Sequence, residues 1–189
     1  MPAVLDAAAK HFAGRGYAAT SMREIAESAG MLAGSLYYHF KGKEELLAAV
    51  YEAGVSELTA AATVAAARET EPWARLEAAC VAHLETLLKR SDYAQVLIRV
   101  LPEDVPPVAT RLRTLRSDYE SLYRELVSAL PLPAGADRRT LRLMLLGALN
   151  WSHFWYREDG RDSPRAIARR FLRLVRGTAC EVHDTKGKR

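Results

Sequence analysis

Between Thr20 and Lys43 the chain gathers hydroxyls, phenols, an imidazole and two ammonium groups around a run of small residues, Ala33, Gly34 and Ser35. Small side chains let a helix backbone come close to a groove floor, while Tyr37, Tyr38 and His39 offer rings and hydrogen-bonding groups to phosphates and base edges. Lys41 and Lys43 flank the start of a following helix, whose unpaired N–H groups and positive dipole end suit a phosphate. Thr20 and Ser21 stand in the same relation to an earlier helix. This is the chemistry of reading a duplex by contact. Bond-making chemistry is poorly supplied: the chain has no Gly-rich phosphate loop, no Gly-x-Ser-x-Gly and no Glu-x-x-His pair. His83, His153 and Cys80 lack the spacing of metal ligands. No enzyme activity, metal or cofactor is expected.

The elements that must hold these groups are helices. Helical periodicity runs through almost the whole chain and alternating strand patterns are nearly absent, so the expected class is all-α. Leu5, Ala8, Ala9 and Phe12 stripe a first helix that Gly14 and Gly16 end. Ser21 with Glu24 forms a capping box that opens a second helix, stopped by Gly30. A third runs from Ala33 to Phe40, with Ile25, Leu36 and Phe40 as core positions. A long helix opens at Lys43–Glu44–Glu45 and reaches toward Ala67. Two short helices joined by a tight turn form a helix-turn-helix unit, in which the first braces the second. Further helices begin at Pro72, cover Leu112 to Leu126, follow Asp137, and start again at Ser163–Pro164. The helix after Asp137 is apolar around most of its circumference, which suits packing on two sides.

With 189 residues, 49% hydrophobic and 26% charged, the chain is long enough for a substantial core. No apolar run approaches the length of a membrane helix, so no membrane partner is expected. Two cysteines, Cys80 and Cys180, suit a reducing cytoplasm. The net charge of +4 does not come from the reading helices, because residues 1–51 carry equal numbers of basic and acidic groups. A neutral head binds DNA only if its few cations sit on the phosphate side.

The run Phe12–Ala13–x–x–Gly16–Tyr17–x–Ala19–Thr20–Ser21–Met22–Arg23–Glu24–Ile25–Ala26, followed by Ala29–Gly30 and Gly34–Ser35–Leu36–Tyr37–Tyr38–His39–Phe40–Lys41–x–Lys43–Glu44–Glu45–Leu46, closely resembles the DNA-binding domain of TetR-family transcriptional regulators. The resemblance implies a three-helix DNA-binding head at 1–45, a larger effector-binding and dimerisation domain at 46–180, and here a basic tail at 181–189. It implies a homodimer that binds a double-stranded operator and is released by a small effector. The DNA contacts it carries over are Thr20, Ser21, Arg23, Ala33, Gly34, Ser35, Tyr37, Tyr38, His39, Lys41 and Lys43. Leu32 stands where many members have a small hydroxyl residue, so the usual cap of the reading helix is missing.

A second stretch, Leu146–Gly147–Ala148–Leu149–Asn150–Trp151 with Trp155–Tyr156–Arg157, resembles the closing helices of members that sense CoA thioesters in fatty-acid and sterol breakdown. That implies a hydrophobic or acyl-CoA-like effector. Candidate effector residues are Arg99, Tyr119, Tyr123, Asn150, Trp151 and Phe154, with Arg111 and Arg113 as further phosphate partners. Tyr119 and Tyr123 are alternatively core, and Trp151 and Phe154 alternatively packing or interface residues. Candidate interface residues are Leu145, Leu149, Trp155, Ile167, Phe171 and Leu174, the last helix being expected to bury Ile167, Phe171, Leu174 and Val175.

Overall fold

The computed structural model describes residues 1–181, with side chains through Gly177; the expected tail residues Lys186, Lys188 and Arg189 lie outside them. Among the described residues there are nine α-helices and no strand. They are α1 (Pro2–Arg15), α2 (Met22–Ser28), α3 (Ala33–His39), α4 (Lys43–Ala67), α5 (Pro72–Leu87), α6 (Asp92–Arg99), α7 (Ala109–Ser128), α8 (Arg138–Trp155) and α9 (Pro164–Glu181). Two 3-10 turns, Pro102–Asp104 and Pro106–Val108, fill the proline-rich connector before α7.

By compactness the chain falls into two units, each drawn from two stretches of sequence. One compact unit combines Met1–Glu57 with Lys89–Tyr119, and the other combines Leu58–Leu88 with the chain from Glu120 onward. In the first unit α6 packs on α1, and α1, α2 and α3 pack in sequence. Its core is Ala8, Phe12, Ile25, Leu36, Leu46, Leu47 and Val50, with Leu112 from α7. The eight-residue α6 is amphipathic, burying Ala94, Val96 and Leu97, and Ser91 caps it by accepting the Ala94 N–H at 3.1 Å. Two contacts then tie it to α1: the Tyr93 hydroxyl donates to Asp6 at 2.9 Å, and Arg99 donates to the Ala13 carbonyl at the open end of α1.

In the second unit α5 lies along α9, and α8 packs on both. Leu76, Ala79, Cys80, Leu84, Leu145, Leu149, Ile167, Ala168 and Leu172 fill the interior. Proline at the first position of α5, with Glu71 accepting the Ala74 N–H, starts that helix as the sequence leads one to expect. The buried face of α9 is corrected in detail: Ile167 and Val175 point inward with Ala168 and Leu172, Phe171 is half-buried, and Leu174 points to solvent.

Candidate nucleic-acid interface

The head is built around the turn between α2 and α3. Gly30 adopts φ 68°, a left-handed conformation that a side chain would strain. Its N–H reaches the Glu27 carbonyl at 3.1 Å, and the Met31 N–H reaches Ala26 at 2.9 Å. This paired closure of the last α2 carbonyls is a Schellman motif, and it sets the angle at which α3 departs. At the other end of α2 the capping box is complete: Ser21 Oγ accepts the Glu24 N–H at 3.3 Å, and the Glu24 carboxylate accepts the Ser21 N–H at 2.9 Å. The Ser21 hydroxyl and amide, with Arg15 beside them, hold the Glu24 carboxyl down at about 2. A carboxylate lowered on folding adds stability above its ordinary range near 4.5 and loses it as pH falls toward 2. Ser21→Ala is therefore expected to flatten the acid side of the thermal stability profile between those values, read by circular dichroism melts.

Leu36 and Phe40 pin α3 to the core, and its remaining residues face out. Tyr38 is 87% exposed, Tyr37, His39, Gly34 and Ser35 are exposed, and the Tyr38 ring meets His39 edge-on at 5.4 Å. A methyl group added at Gly34 would touch nothing within 4 Å, so the chain's own packing does not require glycine there. Arg23 and Lys41 are exposed beside this face. Leu32, at the N-cap of α3, makes no side-chain cap.

Two of the expected contacts have partners inside the chain. Thr20 is only 2% exposed, and its hydroxyl donates to the Gly16 carbonyl at 2.9 Å, so it closes the end of α1. Lys43 Nζ donates to the carbonyls of Thr20 at 2.8 Å, Tyr17 at 2.9 Å and Ala18 at 3.3 Å, and lies 4.4 Å from the centre of the Tyr17 ring. An ammonium has three donors, and all three are engaged within the chain. The Tyr17 hydroxyl donates to Glu44 at 2.7 Å, and burial with that carboxylate pushes the phenol up. Lys43 and Tyr17 thus lock the 17–20 loop to the start of α4. Ser21 is exposed, but its hydroxyl is held by the capping box.

The expected effector residues fall in both units: Arg99, Arg111, Arg113 and Tyr119 in the first, and Tyr123, Asn150, Trp151 and Phe154 in the second. Arg99 is spent on Ala13, and Arg111 and Arg113 pair with Glu52 and Glu103. Tyr119 is buried in the first unit. Tyr123 is buried in the second, where its hydroxyl donates to the Ala79 carbonyl at 3.2 Å. His83 meets the Tyr123 ring edge-on at 6.2 Å and is held by Asn150. Burial lowers the imidazole to about 4, against which the Asn150 hydrogen bond works. The unfolded chain binds that proton near 6.5, so native stability is full above 6.5 and falls as pH drops through about 4. Expected loss across that window is about 3 kcal/mol, and in His83→Gln the urea midpoint should lose this dependence.

Trp151 and Phe154, expected at the effector, lie on the outer face of α8, 62% and 64% exposed, with ring centres 4.1 Å apart. Met144, Trp155 and Leu174 of α9 are exposed as well, and Trp155 meets Phe171 at 6.3 Å. Among the expected interface residues, Leu145, Leu149 and Ile167 are core of their own unit, while Trp155 and Leu174 are on the surface. Helical spacing carries the missing information: Met144, Gly147, Trp151 and Phe154 share one face, Leu145, Leu149 and Ser152 the opposite one. An exposed apolar strip of this kind marks an interaction surface. Among the described residues no group of three or more His, Cys, Asp or Glu is placed to hold a metal ion, and no helix is long and apolar enough to cross a membrane.

A three-helix head with an outward reading helix, joined to a helical unit with an apolar outer face, defines a class of DNA-binding regulators. The family described as bacterial regulatory proteins, tetR family, matches residues 4–50, and the tetracyclin repressor-like C-terminal domain matches residues 69–178. The chain belongs to the TetR family and is a DNA-binding transcriptional regulator. It is 30% identical over 190 residues to the HTH-type transcriptional repressor KstR2 of Mycolicibacterium smegmatis, covering 97% of this chain and 92% of that one. Its fold is similar to the fatty acid degradation regulator FadR from Bacillus halodurans, with TM-score 0.81 at 21% identity over 93% of this chain and 94% of that one. It is similar also to AibR in complex with isovaleryl coenzyme A and operator DNA, with TM-score 0.76 at 24% identity over 92% and 96%.

Proposed function

We propose that two copies of this chain, joined through the outer face of α8 and α9, each seat α3 in the major groove of a near-palindromic operator and repress transcription until a small effector binds. The observation that carries this reading is the outward face of α3, where Gly34, Ser35 and Tyr38 are exposed. Arg23, Ser35, Tyr37, Tyr38, His39 and Lys41 supply the contacts, and Ala33 and Gly34 the close approach. Two heads on one face of the duplex require half-sites about 34–36 Å apart or a multiple of that. Repression is supported by KstR2 being a repressor, and an acyl-CoA-type effector by the complex of AibR. The site of action is then the cytoplasm, and the role is regulation, not catalysis. An effector loosens operator binding only by its differential affinity for the two states, typically about 1–3 kcal/mol of coupling.

The test is an anisotropy titration at fixed salt against DNA from upstream of the protein's own gene, with and without a panel of acyl-CoA thioesters and free acids. Tight binding abolished by one thioester supports the full reading. Tight binding indifferent to the panel removes the effector class, and affinity no better than for random DNA removes the operator. Gly34→Ala separates fold from reading. It is expected to stabilise the head by about 0.5 kcal/mol through helix propensity, yet to weaken operator binding about tenfold because a methyl group then meets the groove floor. Equal affinity would place Gly34 away from DNA.

A further inference from the structure

The second unit carries an open groove of about 890 Å³ along α4, α5 and α9. The size is that of a small-molecule site. Its floor is made of small and apolar groups, Ala61, Val64 and Ala65 from α4 with Ala78 and Val81 from α5. Its basic wall is one face of α9, where Arg165, Arg169, Arg173 and Arg176 recur at helical spacing.

These arginines are not equivalent. Arg165 pairs with Glu85 at 3.2 Å and Arg169 with Glu77 at 2.8 Å, so that end of the groove is neutralised. Toward the other end Arg173, and Arg68 from the chain just after α4, have no carboxylate partner among the described residues. Arg176 lies over the Trp73 ring at 5.7 Å. The remaining acids there are Glu69 and Glu71, and Glu71 is engaged in capping α5. Guanidinium groups without a carboxylate partner among the described residues thus stand at one end of an apolar trough, with Val64 left 53% exposed in its floor. Guanidinium forks bind carboxylate and phosphate oxygens, and the alanine-lined floor accepts a chain that water rejects. None of the groups expected from the sequence to meet an effector lines this groove.

We propose that the groove between α4, α5 and α9 binds a single-chain amphiphile with an anionic head, the head held by Arg173, Arg176 and Arg68 and the chain laid over Val64, Ala65 and Ala78. The inference is independent of operator recognition and of the CoA class of effector, and its test uses no DNA.

The chain has three tryptophans, and Trp73 is the one in the groove. In a Trp151→Phe, Trp155→Phe background, emission therefore reports on Trp73 alone. Decanoate, below its micellar concentration, is expected to shift that emission saturably, and decyl phosphate to do the same. Inorganic phosphate at equal concentration is the arm that tests the anion without a chain. Arg173→Ala with Arg176→Ala should raise the decanoate dissociation constant about tenfold or more, and Val64→Glu should abolish the shift. Arg170→Ala, whose guanidinium pairs with Asp162, should leave it unchanged. No saturable shift, an affinity indifferent to the arginine pair, or an equal response to inorganic phosphate would each overturn the proposal. Circular dichroism of every variant separates loss of binding from loss of fold.

Discussion

Lys43→Met is expected to lower the stability of the head by about 2 kcal/mol, the scale of charge-assisted hydrogen bonds lost from a partly buried site, and to abolish operator binding as a consequence. The side chain closes three carbonyls of the 17–20 loop and sits against the Tyr17 ring. Methionine matches the stem and supplies no donor. That loop leads directly into the capping box of α2, so its loosening misplaces the α2 and α3 pair as a unit. The readouts are a chemical denaturation curve and anisotropy at several salt concentrations. A residue touching phosphate would behave differently: stability would hold, affinity would fall uniformly across sequences, and the salt slope would drop by about one. That pattern would overturn the structural role assigned to Lys43.

Charging the outer face of α8 should have the second large effect. Phe154→Glu is expected to yield a monomer by sedimentation equilibrium while the thermal midpoint changes little, because Phe154 is exposed in the single chain. Operator affinity should fall by about two orders of magnitude or more, since a linked second head gains its grip from effective concentration. Leu149→Glu provides the contrast: it buries a carboxylate in the core and should unfold the chain. If Phe154→Glu still sediments as a dimer, the aromatic strip serves some other partner.

Much of the head is legible in the sequence, because its signals are local. Ser21 and Glu24 three residues apart announce a helix start, Gly30 announces its end, and Leu36 and Phe40 four apart announce a buried side. The partners of Lys43 within the chain are not legible in the sequence, because they are backbone carbonyls, which every residue carries and no sequence pattern marks. The same holds for Thr20, whose hydroxyl turns back to the Gly16 carbonyl. On α8 the periodicity gives two apolar faces, with Leu145 and Leu149 on one and Met144 and Trp151 on the other. Which face turns inward depends on α5 and α9, and that information is not in the helix itself. Residues 92–99 form only two turns, and their amphipathic pattern together with the cap at Ser91 is the local signal for α6. The basic face of α9 was visible as a row of arginines, but its pairing with the α5 carboxylates and the trough beside it arise only on folding.

The arrangement of α3 has a further consequence. One of its residues, Leu36, with Phe40 just beyond, secures the helix, and Gly34, Ser35, Tyr37, Tyr38 and His39 are exposed in the single chain. Changes at Ser35, Tyr37, Tyr38 or His39 therefore cost the scaffold little, and changes at Leu36 or Phe40 cost it much while leaving the reading surface chemically the same. A lineage carrying this head can drift to a new operator sequence one outward residue at a time without passing through an unfolded intermediate. Selection on target choice and selection on foldability then act on separate letters of the same seven-residue helix.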